Sequence, residues 1–177
     1  SNCHTFMGQN WDWIPDVKCA IVETTVQDGP HQLAFTEAGI FGGKIGMNSE
    51  GLALTVNGMN SIGDDWSRFK KPFHLRCADV LESKTLEDAL DVLIGTPRSC
   101  TANFMIGQAQ DTVIDIELAT DEYVQISPLG GVLSHANHFT DPDSAEIIEP
   151  PNPRRYLSKF RHERMETLLN ERKPLDI

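Results

Sequence analysis

The chain has 177 residues, with 26 Asp or Glu against 15 Lys or Arg and a formal charge of −11. Hydrophobic residues make up 40% and charged residues 23%, a globular balance that excludes disorder, collagen-like repetition and a disulfide miniprotein. The acid excess excludes a nucleic-acid partner held by phosphate neutralisation, and no apolar run reaches the roughly eighteen residues of a membrane span.

The first half reads as strands. Cys19-Ala-Ile-Val-Glu-Thr-Thr-Val26 is rich in β-branched residues and stops at Asp28-Gly29-Pro30, a turn signal. Leu33-Ala-Phe-Thr36 follows, then the glycine-dense stretch from Gly39 to Gly46, a turn at Asn48-Ser-Glu-Gly51 and a short apolar strand, Leu52-Ala-Leu-Thr-Val56. Closely spaced strands with small turns predict an antiparallel sheet. After a polar connection, Leu75, Ala78 and Leu81 fall at helical spacing between Phe73 and Leu81. A second helix is predicted from Leu86 to Leu93, with Thr85 as N-cap, Glu87 and Asp88 in the first turn and Gly95 at the stop. Strand character returns at Asn103–Ile106, Thr112–Leu118, Tyr123–Ile126 and Val132–His135, and Tyr156 to Leu169 reads as a last helix. Strands in runs rather than in alternation with helices predict an α+β domain over 1–177.

Four cysteines, Cys3, Cys19, Cys77 and Cys100, are widely scattered and form no C-x-x-C pair. They predict reduced thiols in a cytoplasm-like compartment and no structural zinc. Cys77 and Cys100 read most simply as small buried hydrophobes.

The most unusual string is Gly8-Gln-Asn-Trp-Asp-Trp13. By composition alone it reads first as an amphipathic strand whose tryptophans pack and whose Asp12 faces water. The alternative is a carboxylate between aromatic walls, suited to orienting an ammonium or a nucleophile. His135 and His138 flank Asn137, a pattern of a hydrogen-bonded turn or of a metal pair, with no further His or Cys at ligand spacing. Arg161 and Arg164 alone would be a solvated helix face with Glu163 and Glu166.

Together these pieces resemble the acyl-coenzyme A:6-aminopenicillanic acid acyltransferase family of N-terminal nucleophile hydrolases. The resemblance runs from Gly8–Trp13 through Thr36-Glu-Ala-Gly-Ile40, Lys44-Ile-Gly-Met-Asn-Ser-Glu-Gly-Leu52 and His135-Ala-Asn-His-Phe139 to Arg161-His-Glu-Arg164. It implies a four-layer αββα fold and an enzyme in which a cysteine freed by autocatalytic cleavage attacks an amide or thioester carbonyl, its own α-amino group serving as base. The substrate implied is a small amide or acyl thioester, handled by an amidase or acyltransferase, and no cofactor or metal is implied. Asp12 matches the aspartate near the nucleophile's amino group, Asn137 the oxyanion-hole asparagine and Arg161 the arginine that keeps the site electropositive. Asn57 lies near another polar position of the site. The resemblance further leads to the expectation that Asp12 and Asn137 share a cleft, with Arg161 beside Asp12.

In the family the nucleophile opens a strand, a turn follows, and the Gly-Gln-Asn-Trp-Asp string lies on the return strand. Cys3 falls where that turn belongs. The expectation is a chain incomplete at both ends, without its nucleophile strand and inactive by itself, with Cys3 as nucleophile only if the Asn2–Cys3 bond is cleaved. Cys100-Thr101-Ala102 imitates a nucleophile strand but sits between a helix and an interior strand. The competing reading is a noncatalytic relative that binds an acyl or amide ligand.

Overall fold

Alternation of apolar and polar residues over short runs makes strands that bury one face, and here it makes one continuous meander. The computed structural model describes residues 4–25, 27–109 and 112–172. Among them a seven-stranded sheet keeps sequence order: β1 (Cys19–Thr25), β2 (His31–Glu37), β3 (Ile45–Asn48), β4 (Leu52–Gly58), β5 (Ala102–Gln108), β6 (Thr112–Leu118) and β7 (Tyr123–Ile126). Every neighbouring pair is antiparallel. Helices α1 (Phe73–Glu82) and α2 (Leu86–Ile94) come between β4 and β5, and α3 (Arg155–Glu171) closes the order. The mixed α/β composition and the antiparallel sheet agree with the sequence reading. Val26, Cys3 and the C-terminal Lys173–Ile177 lie outside the described residues.

The register fixes two faces. Leu54 stands opposite Ile106 and Val56 opposite Phe104, and these stand opposite Ile114 and Ile116. Together with Cys77, Val80 and Leu81 of α1 and Ala89 and Leu93 of α2 they make the main core. Burying each such side chain contributes roughly 1.5–3 kcal/mol, which is what holds α1 and α2 to this face. Thr85 caps α2 as predicted: its side chain accepts from Asp88 N while the Asp88 carboxylate accepts from Thr85 N.

The other face carries the alternate residues. Asn57, Asn103, Glu117 and Val124 form one row across β4 to β7, and Thr55, Met105, Asp115 and Ile126 the next. Toward β1 that face carries Ile21, Leu33 and Met47, all more than half exposed.

Two strand readings are corrected. Gly8–Trp13 is irregular rather than an amphipathic strand. The gap it fills explains why: β3 pairs with β4 only at Gly46–Leu54 and Met47–Ala53, which leaves the Val56 backbone without a β3 partner. The Gln9 side chain takes that place, donating through Nε2 to Val56 O and accepting from Val56 N at 2.9 Å. Met7 lies against Gly107, where any side chain would collide with its sulfur. Val132–His135 is not a strand either. A lone bridge pairs Leu129 with Val132, and the chain then turns to cover the polar rows of the sheet.

Candidate functional site

Asp115 and Glu117 alternate with Ile114, Ile116 and Leu118 along β6, so both carboxyl groups leave the helix-covered face together. Their side chains are nonetheless fully buried, because the segment from Ser134 to Thr140 lies over them. His135 Nε2 donates to Glu117 Oε1 at 2.8 Å and stands 4.0 Å from Asp115 Oδ2. The same Glu117 oxygen accepts from Thr140 N at 2.8 Å. His135 Nδ1 faces Ala136 O at 2.8 Å. Asn103 donates to Asp115 Oδ1, and Asn57 donates to Asn103 Oδ1 at 3.2 Å.

The electrostatics follow from this crowding. Burial pushes the Asp115 carboxyl up to about 6, against the pull of His135 and Asn103. Burial alone would lower His135, but the Glu117 hydrogen bond and the two nearby carboxyl groups outweigh it and raise the imidazole. His138, three residues on, moves the other way. Burial, helped by His135 and His162, pushes it down to about 4. The three imidazole rings lie together, with centroids 5.5–6.2 Å apart.

Asp115, Glu117 and His135 are also the described side chains whose donor atoms gather closely enough to hold a metal, within 4.8 Å of one another. Metal–ligand bonds near 2.1 Å at tetrahedral angles hold ligand atoms about 3.4 Å apart. The 2.8 Å from His135 to Glu117 is hydrogen-bond spacing.

Asn137 projects from this covering segment. Its Nδ2 donates to Gly58 O at 2.9 Å, and its Oδ1 accepts from Arg161 of α3 at 2.8 Å. These partners fix which way the amide faces, because a guanidinium only donates and a carbonyl only accepts. One Nδ2 proton goes to Gly58, and the second has no protein acceptor among the described residues. Behind it, Ser158 of α3 accepts from Asn137 N at 2.7 Å and meets His138 Nδ1 at 2.8 Å. A cleft of about 150 Å³ opens in front, bordered by Asn137, Asn60, Glu149, Pro150, Asn152 and Arg155. A larger one of about 510 Å³ adjoins it, sharing Glu149 and Arg155.

The structure therefore brings Asn57, Asn137 and Arg161 to one end of β4. Asn137 bonds to Gly58, the neighbour of Asn57, and Arg161 bonds to Asn137. Asp12 is exposed and makes no hydrogen bond or ion pair with Asn57, Asn137 or Arg161 among the described residues. The aromatic half of its string is anchored: Trp11 Nε1 donates to Glu37 Oε1 at 2.8 Å, and Lys44 Nζ sits 3.8 Å above the Trp11 ring. Lys44 and Glu37 form a buried ion pair at 2.6 Å. Burial raises Glu37, but the bonds from Lys44 and Trp11 outweigh it and leave its carboxyl below the usual range.

Cys19, Cys77 and Cys100 are free thiols. Burial pushes Cys77 up to about 12 and raises Cys100 as well, so neither is prepared to act as a thiolate at neutral pH. The sequence reading missed Asp115, Glu117 and Ser158. Ile-Asp-Ile-Glu-Leu signals two carboxyl groups on one strand face, but its ordinary meaning is a solvated face.

The pinned asparagine and the arginine meet at the end of β4 as the candidate functional site of the chain. Residues 1–174 match the family described as AAT, acyl-coenzyme A:6-aminopenicillanic acid acyl-transferase, and the chain belongs to that family. Among characterised proteins it is similar to the acyl-coenzyme A:6-aminopenicillanic-acid-acyltransferase 40 kDa form of Emericella nidulans, at 31% identity over 170 residues. That alignment takes in 92% of this chain and 45% of the relative, so the chain spans less than half the relative's length.

Proposed function

We propose that this chain forms the oxyanion-binding part of an enzyme that transfers or hydrolyses acyl groups through an acyl-cysteine. The observation that carries the reading is Asn137. Its amide is locked by Gly58 O and Arg161, leaving one N–H uncommitted among the described residues, beside a cleft.

The nucleophile of this reading is a cysteine on the strand that precedes Gly8, freed by autocatalytic cleavage. Its α-amino group takes the thiol proton, and the thiolate adds to the thioester or amide carbonyl. The free Asn137 N–H donates to the oxyanion that forms. Arg161 holds the amide oxygen and keeps positive charge nearby, and Asp12 orients the α-amino group. Collapse of the adduct breaks the carbon–sulfur or carbon–nitrogen bond, and the leaving group departs with the proton. An amine or water then attacks the acyl-cysteine and returns the thiol. The relative's name, with coenzyme A and 6-aminopenicillanic acid in it, supports a thioester donor and an amine acceptor.

The same reading places a second sheet against the face opposite α1 and α2, giving the four-layer arrangement. The exposed Ile21, Leu33 and Met47 on that face support it.

The test uses the full-length protein and a panel of acyl-coenzyme A thioesters, with intact mass and thiol release as readouts. The expected result is a one-acyl adduct on a cysteine and a loss of about 10²–10³ in kcat for Asn137→Ala. Absence of both adduct and turnover would favour the noncatalytic ligand-binding alternative.

A further inference from the structure

We propose that Glu117 is the positioning residue for the Asn137 amide, holding the irregular segment that presents it. The inference rests on the proposed role of Asn137 and goes beyond it, to a strand position that the resemblance did not mark.

Asn137 belongs to no helix or strand, so its own backbone ladder does not fix it. A single oxygen of Glu117 does. Oε1 accepts from His135 Nε2 and from Thr140 N, each at 2.8 Å, which are two residues before Asn137 and three residues after it. Glu117 is fully buried and sits within β6, with β5 on one side and β7 on the other, so the anchor is rigid. Ser158 completes the grip from the α3 side by accepting from Asn137 N. Displacing a catalytic group by about 1 Å costs on the order of 10²-fold in rate, which is why holding the turn matters.

The geometry also states what Glu117 must be. His135 Nε2 faces Glu117 Oε1, while Nδ1 faces both Ala136 O and, at 3.5 Å, the Asn57 amide nitrogen. Nε2 therefore carries the hydrogen shared with Glu117, and the two buried carboxyl groups beside the ring favour its charged form. A carboxylate supports that cation, whereas a neutral amide of the same size does not. Glu117→Gln can keep the bond from Thr140 N but loses the charge that holds His135. The other carboxyl oxygen, Glu117 Oε2, has no hydrogen-bond partner among the described residues, so the grip runs through Oε1.

The experiment uses the full-length protein with the acyl-coenzyme A panel. Glu117→Gln is expected to lower kcat about tenfold or more with KM within about twofold, the pattern of a lost transition-state interaction. Because Glu117 acts through Asn137, adding Glu117→Gln to Asn137→Ala is expected to change kcat less than about twofold. Independently of activity, ¹⁵N spectra of the histidine-labelled wild type should show His135 Nε2 protonated at neutral pH.

Wild-type kcat in Glu117→Gln alongside a crippled Asn137→Ala overturns the proposal. So do fully additive losses in the double variant, which mark a merely structural role. An unprotonated Nε2, or one equivalent of zinc in the purified protein, overturns the clamp itself. If Asn137→Ala keeps full activity, the oxyanion reading falls, and the His135 spectrum still decides whether the clamp exists.

Discussion

Two buried charged clusters sit on the same sheet, and they differ in whether they close. At the β2 end, Glu37 has a donor for each oxygen, Trp11 for one and Lys44 for the other, and its charge is cancelled by Lys44. At the β6 end, Asp115 and Glu117 share one imidazole, and Asp115 Oδ2 and Glu117 Oε2 have no hydrogen-bond partner among the described residues. Buried polar atoms are nearly always paired, so unpartnered oxygens mark a place where stability is not the whole account. The closed cluster joins the N-terminal segment to the sheet. The open one grips the segment that carries Asn137.

Breaking the closed cluster should cost the most. Lys44→Met leaves Glu37 buried without its cation and is expected to lower unfolding stability by about 3–5 kcal/mol. Adding Glu37→Leu should return most of that loss, because the remaining cavity is apolar. Denaturant titration of the three variants checks both steps.

The open cluster should reveal itself through pH instead. His138 is held neutral, its pKa depressed to about 4. The stability it contributes is present above the ordinary histidine range and is lost as pH falls from about 6.5 to 4, by at most about 3 kcal/mol. Asp115 has the opposite sign. With its carboxyl raised to about 6, it contributes stability below about pH 4 that is lost as pH rises through 6. His138→Asn should therefore remove an acid-side loss, and Asp115→Asn a neutral-side one, in unfolding measured at each pH. Identical pH profiles for the two variants would contradict the assignment.

The smallest effect sharpens the closed cluster. Trp11→Phe keeps a ring under Lys44 but removes the bond to Glu37, an expected cost of about 1 kcal/mol by thermal or denaturant unfolding.

The elements were largely legible because each was signalled locally. Thr85, Asp88 and Gly95 bounded α2, and apolar alternation marked β4 and β6. The geometry of the candidate site was legible in part. Asn137 and Arg161 came from the resemblance and do meet, while Glu117 escaped because the segment that buries it begins well beyond its own strand. Gly8–Trp13 misled for a different reason. Its alternation imitates a strand, yet what decides its shape is the divergence of β3 from β4, which no local pattern announces.

The Gln9 amide carries a consequence for how such a motif is understood. One carboxamide offers a donor and an acceptor in a single plane, so it stands in for a whole peptide unit along β4. Glutamate would lack the donor, and asparagine would stop one methylene short. Two residues later, Trp11 is tied to β2, so the spacing between these letters spells out the span from one strand to another across β3. The most recognisable string in the chain is thus, for two of its residues, an assembly instruction: its Gln and first Trp are carpentry.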